Sequence, residues 1–125
     1  MLNELAGYRV LVIEDEYFLA RDLEDTLTQA GAEVIGPLGQ LQDALDQVRR
    51  DGFELAVLDL NLGGSLAYSV ADALTAQGVP FVFASAYALS DIPQRFKNLR
   101  YVEKPYHPLA VIRALSRLIR STHDD

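Results

Sequence analysis

A doubly wound α/β fold built on a parallel five-stranded sheet is predicted by three features of this sequence. Short apolar runs alternate with amphipathic stretches from end to end, Gly or Pro punctuates the changeovers, and the runs are apolar almost throughout, as strands covered on both faces should be. The chain has 125 residues, enough to bury a real core but too few for a second folding unit, so one domain with its core at about residues 8–120 is expected.

The first strand is residues 8–13 (YRVLVI). A helix follows over 16–30, with Leu19, Leu23 and Leu27 recurring every four residues and Gly31 as its stop. Residues 33–36 form a shorter strand that ends at Gly36-Pro37, and Leu41, Ala44, Leu45 and Val48 mark a second helix ending near Gly52. The third strand is 55–60 (LAVLDL). After Gly63-Gly64, Ser65 is placed to cap a helix that carries Val70, Ala73 and Leu74 inward and stops at Gly78. Residues 80–85 (PFVFAS) give the fourth strand, 91–96 a short fourth helix and 99–102 the fifth strand. A final helix carries Leu109, Ile112, Leu115 and Ile119. Five βα units with right-handed crossovers favour the flavodoxin-like (βα)5 order 2-1-3-4-5, whose functional groups gather beyond the carboxyl ends of the strands.

The net charge of −7 opposes nonspecific nucleic-acid binding, and Arg113, Arg117 and Arg120 recur at helical spacing as a solvated face. The absence of cysteine removes disulfides, thiolate chemistry and zinc-thiolate sites. No targeting segment or membrane-spanning run is visible, so a cytoplasmic protein with no membrane partner is expected.

The stretch LVIEDE, where a buried strand runs straight into Glu14, Asp15 and Glu16, asks for a cation or a helix terminus to offset the crowded carboxylates. The predicted topology brings Asp15, Asp59, Ser85 and Lys104 to one sheet edge. Few carboxylates with room for water suit Mg²⁺. Asp59, alone among apolar neighbours, can then act as a nucleophile toward phosphorus, with Lys104 balancing the developing charge and the Ser85 hydroxyl bonding a phosphoryl oxygen. Glu16 reads as a helix-start acid, favoured by the macrodipole. His107 and His123 read as structural or solvated. No GxSxG elbow supports a hydrolase, and Gly63-Gly64 lacks the Lys-Ser/Thr of a phosphate-binding loop.

Glu14-Asp15 after VLVI, Asp59 in VLDL, Ser85 in FVFASAY and Lys104-Pro105 in VEKPY, taken in order, resemble a receiver domain of the two-component response regulators over nearly the whole chain. The resemblance implies Mg²⁺ held by Glu14, Asp15, Asp59 and the backbone carbonyl of Asn61, with Asp59 the phosphoacceptor. It also implies a switch formed by Ser85 and Tyr101, with a readout face made by helix four, strand five and the final helix. Partners would be a histidine kinase or phosphotransfer protein and a downstream protein, with no output domain and no metabolic turnover. Asn61-Leu62-Gly63-Gly64 stands where many receivers have Pro and Met, and FASAY resembles the FATGY of a single-domain subgroup, with Ala86 for Gly stiffening the loop. Tyr87 would tune water access at the pocket mouth. The alternatives are a phosphorylation-independent docking module of the same fold and, more remotely, a small Mg²⁺-dependent phosphatase.

Overall fold

The computed structural model describes residues 3–86 and 89–123. In chain order the elements are β1 (Arg9–Ile13), α1 (Tyr17–Gln29), β2 (Glu33–Leu38), α2 (Leu41–Arg50), β3 (Leu55–Leu58), β4 (Asn61–Leu62), β5 (Ser65–Leu66), α3 (Tyr68–Ala76) and β6 (Phe81–Ser85). Two 3-10 turns (Leu89–Asp91 and Gln94–Phe96), β7 (Arg100–Glu103) and α4 (Pro108–His123) complete the chain. The main sheet runs β2-β1-β3-β6-β7 with every pairing parallel, the predicted order and a flavodoxin-like α/β fold.

Strand pleating divides the core in two. Leu11, Ile13, Ala56, Leu58, Phe81 and Phe83 point to the side of α2, α3 and the 3-10 turns. Val10, Val12, Leu55, Val57, Val82 and Ala84 point to the side of α1 and α4. Successive side chains alternate between faces, so a run of uniformly apolar residues is what a strand buried on both sides requires. Phe83 anchors the first layer, meeting the edges of Phe81 at 5.2 Å and Phe96 at 5.6 Å between ring centres.

Three expectations change. Ser65 does not cap the third helix. With Leu66 it pairs back onto Asn61-Leu62 as β5, across a turn at Gly63 (φ 59°) and Gly64 (φ 92°), and α3 begins at Tyr68 without a side-chain cap. Two consecutive residues with positive φ are what a two-residue type I′ hairpin demands, and Gly-Gly supplies them without strain. The predicted fourth helix is two 3-10 turns, because Pro93, extended at ψ 146°, lacks an N–H and disfavours helix in the residue before it. β2 continues through Gly36-Pro37 to Leu38 because its pairing with β1 slips between Leu11 and Ile13, letting the chain bulge and carry on.

That bulge gives a first testable consequence. Gly36 sits at φ +96°, and a Cβ there would lie 2.8 Å from the Val12 carbonyl oxygen and 2.9 Å from the Leu38 nitrogen. Both obstacles are backbone, so Gly36→Ala should cost about 1–3 kcal/mol, read as a lower urea midpoint at an unchanged slope.

Candidate functional site

The strands deliver their terminal side chains to one place. Asp59 follows β3, and its N–H donates to the Ile13 carbonyl at 2.9 Å, holding it beside the end of β1. Glu14 is fixed by its own N–H on the Leu38 carbonyl at 2.9 Å. Ser85 ends β6, and Lys104 leaves β7 with its N–H on the Ser85 carbonyl at 2.8 Å. Parallel registry brings all four to the same edge, where Asp15, Asp59, Ser85 and Lys104 line one pocket. Glu14, Asp59 and Ser85 are buried, whereas Asp15 is exposed.

Lys104 Nζ donates to Asp59 Oδ2 at 2.9 Å, Glu14 Oε2 at 3.0 Å and Glu16 Oε1 at 3.1 Å. Burial opposes its charge, but the bonds to Asp59 and Glu14 outweigh that and hold its pKa above the ordinary lysine value. Asp59 Oδ1 accepts the Asn61 N–H at 3.1 Å. One Asp59 oxygen is thus held by the ammonium and the other by the backbone. The β4-β5 hairpin closes the rim: the Gly63 N–H donates to Asp15 Oδ2 at 2.8 Å, and the Gly64 N–H to Asn61 Oδ1 at 2.8 Å. The pocket so framed is open, about 280 Å³, and Asp15, Asp59, Asn61, Ser85 and Lys104 all line it.

Carboxylate oxygens of Glu14, Asp15 and Asp59 lie within 4.8 Å of one another. This all-oxygen, anionic set fits a hard divalent cation. Burial first, then the adjacent Asp59, pushes the Glu14 carboxyl up to about 8. The folded value thus exceeds the unfolded one near 4.5, so the associated stability is fully present below pH 4.5 and is lost as pH rises through about 8. Without divalent cation the urea midpoint should fall between pH 5.5 and 8, with a slope of at most about 1.4 kcal/mol per pH unit for a single titrating carboxyl. A bound cation favours the ionised carboxylates and should flatten that slope. A midpoint independent of pH in both conditions would contradict this assignment.

Ser85 and Tyr101, paired in the sequence reading, touch: the Tyr101 hydroxyl donates to the Ser85 carbonyl at 3.3 Å, and its half-buried ring packs at 6.4 Å from Phe83. Tyr87 lies outside the described residues. His107 accepts the Leu109 N–H on Nδ1 at 3.1 Å, a local bond at the start of α4. Two site residues were missed. Glu16 precedes α1 as a helix-start acid should, but it makes no capping bond and reaches Lys104 instead; its place two residues after Glu14 was the available signal. Tyr106, two residues after Lys104, has a buried hydroxyl with no partner among the described residues.

Among solved structures, SdrG from Sphingomonas melonis Fr1 is 34% identical and superimposes with a TM-score of 0.78, covering 90% of this chain and 96% of that one. The BeF3-activated conformation of SdrG matches at 32% identity and a TM-score of 0.72, covering 90% and 98%. The non-phosphorylated HemR receiver domain from Leptospira biflexa is 25% identical with a TM-score of 0.77, covering 90% and 94%. The chain belongs to the response-regulator receiver family. The receiver is also 31% identical over 119 residues to the phyllosphere-induced regulator PhyR of Methylorubrum extorquens, covering 88% of this chain and 43% of that protein. It spans about half the length of the curated relatives it matches. No family model matches the receiver.

Proposed function

We propose that this receiver takes a phosphoryl group on Asp59 from a phosphohistidine-bearing kinase or phosphotransfer protein and thereby alters a protein-binding face. The observation that carries the reading is the suspension of buried Asp59 between Lys104 Nζ and the Asn61 N–H. An Asp59 oxygen attacks phosphorus as the P–N bond breaks, and the bonding pair leaves with the imidazole. Lys104 and the Ser85 hydroxyl then stand at the pocket wall to receive the new phosphoryl oxygens. Water later attacks phosphorus, releasing orthophosphate and restoring the carboxylate, so the protein assists its own modification without metabolic turnover.

Glu14, Asp15, Asp59 and the Asn61 carbonyl would hold Mg²⁺, which supplies neutralising charge to the carboxylates and the phosphoryl oxygens. A protein donor finds apolar purchase nearby. Tyr17, Phe18, Leu66 and Leu109, the exposed large hydrophobic residues among the described ones, all sit in segments that follow carboxyl ends of strands. The readout face would comprise the 3-10 turns, β7 and α4, where Leu99, Val102, Ala114 and Leu118 line an open groove. Tyr101, bonded to the Ser85 carbonyl, lies between this face and the pocket. The BeF3-activated conformation of SdrG supports such a switch, since BeF3⁻ stands in for a phosphoryl group. No described helix is long and apolar enough to cross a membrane, and a cytoplasmic setting, where kinases draw on ATP, suits the reaction. The narrower placement beside the FATGY subgroup rests on FASAY alone.

The test is incubation with acetyl phosphate, with and without Mg²⁺, followed by intact-mass and peptide analysis. One labile phosphoryl group on Asp59 that requires Mg²⁺ is expected. Modification elsewhere, or uptake indifferent to Mg²⁺, would sink the assignment.

A further inference from the structure

The run Asn61-Leu62-Gly63-Gly64, which stands where many receivers have Pro and Met, folds into the β4-β5 hairpin, and the contacts of that hairpin converge on the acidic cluster. Its base is anchored by packing. Leu62 is buried in the core, and the Ala67 N–H donates to the Leu60 carbonyl at 2.8 Å. Its tip is anchored differently. A Cβ on Gly63 or Gly64 would meet nothing within 4 Å, so the tip is tied down by two backbone donors and not by packing. The Gly63 N–H reaches 48 residues back to Asp15 Oδ2, and the Gly64 N–H is held by Asn61 Oδ1, both at 2.8 Å. The Asp15 carboxylate is exposed and takes no other hydrogen bond from the described residues, so the hairpin alone orients it. Its backbone is fixed as closely: a Cβ at Gly39 would come within 3.3 Å of Asp15 Cα.

We propose that the hairpin braces the cation site and that the Asn61 side chain is a positioning residue. By holding the Gly64 N–H it keeps the turn closed and the Gly63 N–H on Asp15, so that Asp15 meets the cation already oriented. The inference rests on the Mg²⁺ reading above. An exposed carboxylate that is ordered only as the cation arrives gives up its rotamer freedom at that moment, which weakens binding; one ordered beforehand does not. Hydrogen-bond partners of ligating side chains commonly govern metal affinity by about ten- to a hundredfold. The tip lies at the exposed rim, which places the expected effect at the lower end. Residue 61 also serves the cluster from its backbone, with its N–H on Asp59 Oδ1 at 3.1 Å, so the same short hairpin touches both Asp15 and Asp59. The coupling is reciprocal: if the closed hairpin favours the cation, the cation favours the closed hairpin by the same factor.

The experiment titrates the full chain with Mg²⁺ by calorimetry, comparing wild type with Asn61→Ala and Asn61→Ser. Amide exchange of the wild-type hairpin is followed by NMR with and without saturating Mg²⁺. Asn61→Ala leaves the backbone N–H and carbonyl of residue 61 in place and should raise the Mg²⁺ dissociation constant about tenfold. Its melting temperature without divalent cation should barely move, because Asn61 is exposed. Asn61→Ser, whose hydroxyl oxygen can take the Gly64 N–H, should recover most of the affinity. In wild type, Mg²⁺ should slow exchange of the Gly63 amide by about the same tenfold.

Equal affinity in wild type and Asn61→Ala overturns the brace, and a serine variant as weak as the alanine one overturns the hydrogen bond as its cause. Gly63 exchange that Mg²⁺ leaves unchanged or speeds up also overturns it, because Asp15 would then let go of the hairpin as the cation binds. That measurement needs only wild type, so it decides the matter even where a variant folds poorly. No Mg²⁺ binding by wild type at millimolar concentration overturns the Mg²⁺ reading itself, and this inference with it.

Discussion

Asp59→Asn should abolish phosphoryl uptake from every donor while leaving the fold intact. The substitution keeps the shape of the side chain and an oxygen able to accept the Asn61 N–H, now at 3.1 Å, but an amide oxygen is a poor nucleophile toward phosphorus. The stability consequence has the opposite sign to most substitutions of buried polar residues. Asp59 and Glu14 are both buried and both lean on Lys104, so deleting one charge leaves a single close pair with the ammonium and relieves repulsion. The variant should be at least as stable as wild type without divalent cation. It should bind Mg²⁺ at least about tenfold more weakly, because one of three carboxylates in the cluster has become neutral. Intact mass after exposure to acetyl phosphate, with a Mg²⁺ titration of the melting temperature alongside, checks both points. Residual modification would mean that a second acceptor exists. A variant that binds its partner as well as phosphodonor-treated wild type would favour a constitutive docking module.

The fold was legible because its cause is local and repetitive. Uniformly apolar strands, Gly and Pro stops and helical spacing of Leu each carry their own physics, and five βα units admit few topologies. The positions of Asp15, Asp59, Ser85 and Lys104 followed, since a parallel sheet sends every strand end to one edge. Legibility failed where two local rules competed. Ser65 is a good helix cap, but Gly63-Gly64 is a better hairpin turn, and the hairpin also closes the rim through the Gly63 N–H on Asp15. The less periodic segment 91–96 suggested a short helix, yet Pro93 divides it. Glu16 and Tyr106 escaped for another reason: their significance lies in what they touch or fail to touch across ninety or so residues of chain, and no periodicity encodes that.

Lys104→Met should destabilise the protein by about 3–5 kcal/mol at pH 9 without Mg²⁺, the range for removing one partner of a buried ion pair. The lysine side chain is 10% exposed, and its partners Glu14 and Asp59 are 2% and 4% exposed, so both carboxylates would remain in a dry site without their cation. The Glu16 contact adds little to this loss, because that side chain is 62% exposed and solvent screens it. Met preserves most of the stem, so packing changes little. The deficit should be smaller and flat from pH 5.5 to about 7, where Glu14, displaced upward to about 8, is protonated with or without the lysine and one charge is left unpaired rather than two, and should grow as pH rises through about 8. Millimolar Mg²⁺ should also restore much of the loss at pH 9, since a cation bound among Glu14, Asp15 and Asp59 replaces the missing positive charge. Phosphoryl uptake should nevertheless stay slow in the rescued protein, because the group placed to meet the transferred oxygens is absent. Urea unfolding at both pH values, with and without Mg²⁺, separates the causes: a deficit independent of pH and cation would assign Lys104 to packing, whereas a deficit that both relieve assigns it to the charge of the site.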